Sequence, residues 1–173
     1  GKNGCLNMFL NCYTDANNGI LTADSIIFGE VGESGCQTMF SGCKRLQVSP
    51  KITADSVGYR GFYQMFTTCY ASATVGLRKT DTIRVTRAIG RQGLEEMFTG
   101  CQRLDTACAI LTPKVGVAGC KNLFKDCFKV ATTATKRYSE GFGSTAILLG
   151  DSACHQMFNT CSLLDSCADL QFS

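Results

Sequence analysis

The sequence predicts an α/β solenoid of about six repeats, each a short two-turn helix followed by short parallel strands. Three observations carry that expectation. A nine-residue block recurs at Gly4–Cys12, Gly35–Cys43, Gly61–Cys69, Gly93–Cys101, Gly119–Cys127 and Ala153–Cys161. Within each block the apolar positions fall at i, i+3, i+4 and i+7, as at Cys36, Met39, Phe40 and Cys43, which makes one stripe on a helix. Between blocks, matching phases hold period-two apolar segments, the mark of strands. A two-turn helix is too short to stand alone in water. Its stripe has to be buried against the next copy, as in a stack of repeats.

The elements follow in chain order. Measured between equivalent phenylalanines (Phe9, Phe40, Phe66, Phe98, Phe124, Phe158), the spacings are 31, 26, 32, 26 and 34, so long and short repeats alternate. The first long one, after Cys12, carries Gly19-Ile20-Leu21 and Ser25-Ile26-Ile27-Phe28-Gly29. The first short one reads as a strand at Leu46-x-Val48, ended by Pro50, then a second strand at Val57-x-Tyr59. Thr82 to Thr86 alternates cleanly and is the clearest strand. The second short repeat repeats the plan with Leu104, Ala107 to Leu111, Pro113 and Val115 to Val117. Both prolines of the chain thus sit at similar places in the two short repeats. The last insertion offers Thr145 to Leu149. The insertions are expected to lengthen strands or add a hairpin along one flank, and Ser34 and Ser152 to act as helix N-caps.

Residues 1–173 form one domain, with the core set by Met8 and Phe9, Met39 and Phe40, Met65 and Phe66, Met97 and Phe98, Leu123 and Phe124, and Met157 and Phe158. Each pair is expected between layers of a right-handed stack, where full burial of a large apolar side chain contributes about 1.5–3 kcal/mol. The net charge of +3 gives no argument for nucleic acid as a partner. No apolar run approaches the ~18–20 residues of a membrane span. The chain opens at Gly1-Lys2-Asn3 and enters a repeat almost at once, which reads as a processed chain or a piece of a longer array.

Twelve cysteines are the unusual entry in the composition. Cys5/Cys12, Cys36/Cys43, Cys120/Cys127 and Cys154/Cys161 are spaced seven apart, about 10.5 Å on a helix, beyond the ~7 Å reach of a disulfide. One reading is a ladder of buried free thiols, since Phe62 and Leu94 replace cysteine at the same phase. The other is bridges between neighbouring helices, Cys12–Cys36, Cys101–Cys120 and Cys127–Cys154. Cys108 and Cys167 lie outside the repeated pair and are expected in a separate bridge or exposed. Zinc-type spacings are missing, so no metal and no cofactor is expected. His155, the only histidine, points off the apolar stripe as a solvated residue, and no nucleophile or paired-carboxylate motif stands out. Glu95 and Glu96 read as first-turn acids of a helix. Arg78, Lys79, Arg84, Arg87 and Arg91 form a basic cluster, and Lys121, Lys125, Lys129, Lys136 and Arg137 a second. Each is either a solvated flank or a face for an acidic partner or glycan.

The block Cys36, Met39-Phe40, Cys43, Leu46, with the turn Ser56-Val57-Gly58-Tyr59 before the next copy, resembles the BspA-like class of leucine-rich repeats. The likeness is to Bacteroides-type surface repeats. Departures occur at Phe62 and Leu94 (first cysteine), at Leu123 (methionine), and after Cys12, Cys69 and Cys127, where the leucine is missing. The resemblance implies a leucine-rich-repeat-like solenoid that is exported, displayed on a cell surface and used, without catalysis, for adhesion or protein contact. Its partner would be protein or glycan. The alternative is a structural subunit that binds copies of itself, as in a surface filament, a virion fibre or a capsid decoration protein.

Overall fold

The recurring block does not wind into a helix. In the computed structural model, which describes residues 1–15, 18–72, 74–130, 138–139 and 148–167, each block is a ribbon of overlapping four-residue turns. In the second copy the amides of Gly35, Gln37, Met39, Ser41 and Cys43 each donate to the carbonyl three residues back, at 3.1–3.3 Å. The amides between them, on Cys36, Thr38, Phe40 and Gly42, donate sideways to Gly61, Tyr63, Met65 and Thr67 of the next copy, at 2.8–3.0 Å. An α-helix would send all of them four residues back along its own axis. Every fourth residue of the ribbon is left-handed: Ser34 (φ 51), Thr38 (φ 52) and Gly42 (φ 70).

The expected two-turn helices are therefore overturned, and with them the α/β leucine-rich-repeat class. The ribbon turns once in four residues and buries two of each four, Gly35 and Cys36, then Met39 and Phe40, then Cys43. Spacings of i, i+3, i+4 and i+7 satisfy that period as well as 3.6, because over seven residues the two drift apart by only about 70°. Ser34 and Ser152 (φ 54) are not helix caps but left-handed ribbon positions. Glu95 and Glu96 likewise occupy a ribbon and no helix first turn.

Fourteen short strands complete the coils among the described residues. In order they are β1 (Tyr13–Asp15), β2 (Asn18–Gly19), β3 (Ser25–Ile27), β4 (Glu30–Val31), β5 (Lys51–Val57), β6 (Tyr70–Ser72) and β7 (Val75–Gly76). Then come β8 (Ile83–Ile89), β9 (Thr106–Ala107), β10 (Ile110–Leu111), β11 (Lys114–Val115), β12 (Tyr138–Ser139), β13 (Leu148–Leu149) and β14 (Ser166–Cys167). A seven-stranded parallel sheet runs β13-β11-β8-β5-β3, with β4 on β5 and β10 on β8. A smaller parallel sheet runs β14-β12-β9. Two antiparallel hairpins, β1–β2 and β6–β7, carry the extra residues of the first two long repeats. The chain is thus a parallel-strand β-solenoid.

Strand positions differ from the sequence reading in a consistent way. Val48 lies in no strand and makes only isolated parallel bridges, to Thr22 and Lys79, in the row Thr22–Val48–Lys79–Thr106. Pro50 stands just before β5, where its missing amide is not needed. Val57 ends that strand, while Tyr59 already belongs to the next ribbon. Thr82 to Thr86 falls within or beside β8 as expected; of Thr145 to Leu149 only Leu148 and Leu149 lie within the described residues.

Parallel, in-register stacking turns the sequence repeat into columns of like residues. Ile26, Ile52, Ile83 and Ile110 pair in one row, and Val31, Val57, Ile89, Val115 and Leu149 in another. The six phenylalanines stack face to face, with successive centroids 5.0–5.4 Å apart and planes within 19°. Such offset stacking adds about 0.5–1.5 kcal/mol per pair beyond area burial. Between strand and ribbon each coil turns on a glycine (Gly32, Gly58, Gly90, Gly116, Gly150) whose added Cβ would come within 2.7–3.0 Å of the preceding coil's backbone or, at Gly32, of Gly1. Met65, Phe66, Met97, Phe98 and Leu123 are fully buried, Met39, Phe40, Phe124 and Met157 nearly so, and Phe9 and Phe158 half-buried. Met8 departs from the expectation: it is 52% exposed, because no coil among the described residues covers its side of the first ribbon.

Candidate functional site

The thiols form part of the interior. Cys43, Cys69, Cys101, Cys127 and Cys161 each donate an S–H to the backbone carbonyl of the preceding coil's Phe9, Phe40, Phe66, Phe98 and Phe124, at 2.9–3.1 Å. All twelve cysteines are free in the structure. Cys12, Cys101 and Cys127 occupy one column, and Cys36, Cys120 and Cys154 another. Each therefore neighbours a cysteine of its own column in an adjacent coil, Cys12 beside Cys43, Cys36 beside Cys5, Cys120 beside Cys154 and Cys127 beside Cys101, rather than the cross-column partners read from the sequence. Burial pushes Cys36 up to about 12, helped by the neighbouring Cys5 thiol, and Cys43, Cys154 and Cys161 up to about 11. Cys69, Cys120 and Cys127 are likewise raised well above the ordinary thiol range, chiefly by desolvation. Thiols held protonated in this way are poor nucleophiles and poor metal ligands. Cys108 is buried and Cys167 exposed. Among the described residues no group of three or more His, Cys, Asp or Glu is placed to hold a metal ion.

The first basic cluster lies along a single coil without forming one patch. Arg78 and Lys79 line a groove of about 290 Å³ together with Gln47, Val48, Asp105 and Thr106. Asp105, nearly buried, accepts from Arg78 Nε at 3.1 Å across adjacent coils. Arg84 and Arg87 stand on the outer face of β8, where residues alternate with the buried Ile83, Val85 and Ile89. Arg87 is paired with Glu30 at 2.5 Å. Arg91 sits beyond the strand, its guanidinium 6.0 Å from the Tyr59 ring. Lys79 and Arg84 are exposed and carry no ion pair among the described residues. Of the second cluster, Lys121 pairs with Glu95 at 3.4 Å and Lys129 with Asp126, whose carboxyl is held below its usual range chiefly by that contact. Lys136 and Arg137 lie outside the described residues.

One polar feature was missed by the sequence reading. On the ribbon face of three successive coils, Glu96 accepts from Tyr63 Oη (3.2 Å), Gln64 Nε2 (2.8 Å) and, at 3.5 Å, Asn122 Nδ2. Glu95, 5% exposed, accepts from Gln92 Nε2 at 2.5 Å. Arg60 lies over Tyr59 and Tyr63, with its guanidinium 5.3 and 5.0 Å from the ring centres. Read on a helix these residues point in different directions. Read on a four-residue ribbon with offsets of 32 and 26, Gln64, Glu96 and Asn122 fall in one column. His155 is exposed on the same face, as expected.

The fold and surface together define a class, the parallel-strand β-solenoid with a phenylalanine-and-thiol interior and a polar exterior. Comparison with protein-family models, with curated proteins and with solved structures returned no match. No helix among the described residues is long and apolar enough to cross a membrane.

Proposed function

We propose that this chain is a non-enzymatic contact module, displayed outside the cell, that binds protein or glycan through the outer rows of its solenoid. The observation that carries this reading is the exposed Lys79 and Arg84 on one coil, which have no ion pair among the described residues, beside a groove lined by Arg78. In a solenoid the interior is consumed by packing between coils, so recognition falls to outward side chains held at fixed spacing by the backbone ladder. A cationic row of this kind selects a partner with negative charge and makes binding sensitive to salt. The motif resemblance to BspA-like surface repeats supports adhesion at a cell surface, as kinship of sequence pattern and not of helix geometry.

The test is binding of a sulfated oligosaccharide and of an acidic peptide, each against an uncharged counterpart. The double variant Lys79→Glu, Arg84→Glu is expected to weaken charged-probe binding at least tenfold with no change in thermal midpoint. Equal binding by wild type and variant would overturn the basic row as the site. Protease accessibility on intact cells tests the compartment separately.

A further inference from the structure

Where the chain leaves the second, third and fourth ribbons, two columns of side chains line the groove of about 290 Å³. Gln47, Arg78 and Asp105 make one column, and Val48, Lys79 and Thr106 the other. Asp105 is 6% exposed and accepts from Arg78 Nε at 3.1 Å. That contact fixes the plane of the guanidinium and leaves its two terminal nitrogens without a partner among the described residues. The Gln47 amide, the Lys79 ammonium and the Thr106 hydroxyl are also without a partner there. Arg103 stands close by, donating from Nη1 to the Gly76 carbonyl at 3.1 Å. Burial, and then the charge of Arg78, weakens its hold on its proton. Arg78, Lys79 and Arg103 thus outweigh Asp105, and the corner is positive.

On the reading that this flank meets an anionic partner, we infer that the groove takes one carboxylate-bearing sugar residue of an acidic glycan, with Arg78 as its anchor. A carboxylate is planar like the guanidinium and meets its terminal nitrogens with two parallel hydrogen bonds. The fork is set in advance by Asp105, so little ordering is lost when a ligand arrives. Around it the groove offers a hydroxyl, an amide and an ammonium, groups that pair with sugar hydroxyls. Its volume lies at the small end of ligand sites (~300–1,000 Å³), which suits a single ring. A peptide fits less well. The backbone amides of Gln47, Arg78, Lys79, Asp105 and Thr106 all donate to carbonyls of the preceding coil. An extended peptide would therefore find no row of open amides to pair with at this corner.

Titration calorimetry of the 173-residue chain with a trimer of galacturonic acid tests it. The comparison probes are the same trimer with its carboxylates reduced to alcohols, a sulfated neutral trisaccharide, and triglutamate. The carboxylated trimer is expected to bind at least tenfold more tightly than each of these. Arg78→Lys keeps the charge but loses the fork, and is expected to weaken that binding at least tenfold. Gln47→Ala, at an exposed position, should weaken it about threefold and leave the thermal midpoint unchanged. Binding that both variants leave intact, but that Lys79→Glu with Arg84→Glu abolishes, would overturn the groove and leave the basic row standing. Equal or tighter binding of triglutamate or of the sulfated sugar would overturn the carboxylated sugar as ligand, again with the row intact. A wild type that binds no charged probe would overturn both.

Discussion

The third ribbon, Gly61–Cys69, and the first, Gly4–Cys12, share a sequence pattern and a backbone conformation, yet their apolar side chains have different surroundings. Met65, Phe66 and Cys69 are fully buried between two neighbours, whereas Met8 is 52% exposed and Phe9 and Cys12 are half-buried against one. The motif supplies the apolar teeth; the flanking coils supply the burial. Stability in such a molecule is a sum of interfaces, and the first ribbon owns one where the third owns two.

The largest expected effect breaks that comparison directly. Phe66→Ala removes a ring stacked on both faces and should cost about 3–5 kcal/mol by denaturant unfolding. Phe9→Ala, stacked on one face, should cost less than about half of that. Equal losses would show that burial does not come from neighbouring coils.

Alkaline titration sharpens the contrast next. Cys36 and Cys43 keep their protons in the fold up to about 12 and about 11, while an unfolded thiol loses its proton near 9. Between those limits the folded state binds more protons than the unfolded one, so stability is full below pH 9 and falls as pH rises. Each such thiol contributes a slope of about 1.4 kcal/mol per pH unit. Urea midpoints at pH 8 and pH 10 measure it, and Cys43→Ala should flatten the slope relative to its own value at pH 8.

The smallest effect separates a ribbon from a helix. Thr68 is exposed and left-handed (φ 57), a conformation that costs a β-branched residue about 1–2 kcal/mol. Thr68→Gly should therefore stabilise by up to about 1 kcal/mol, and Thr68→Ala should gain less. On a helix the order would reverse, because alanine is favoured there over glycine by about 1 kcal/mol. Thermal unfolding of the two variants decides it.

Much of this was legible in the residues, and the rest had physical reasons to stay hidden. The six copies, their phase and the alternation in Thr82 to Thr86 gave the stack and its clearest strand. The helix was misread because four apolar positions over seven residues cannot tell a period of 3.6 from one of 4. The signal that could have told them apart is conformational and not hydrophobic. Asn3, Asn7 and Asn11 fall four apart, and asparagine tolerates the left-handed region better than other non-glycine residues. Five glycines at one phase, from Gly32 to Gly150, mark a turn where coils approach too closely for a Cβ. The basic cluster was visible as composition only. Whether Arg78 meets Asp105 depends on a register of 27 residues, and the exposure of Met8 depends on a neighbour that local sequence does not encode.

The ring-to-ring interval stays at 5.0–5.4 Å although 26 to 34 residues separate one phenylalanine from the next. Axial height is consequently counted in whole units, like storeys, and is indifferent to how much chain each storey holds. A hairpin such as β6–β7 can lengthen or shrink and broaden the girth without lifting any ring. Only the gain or loss of an entire unit makes the molecule taller or shorter, and then by a fixed step.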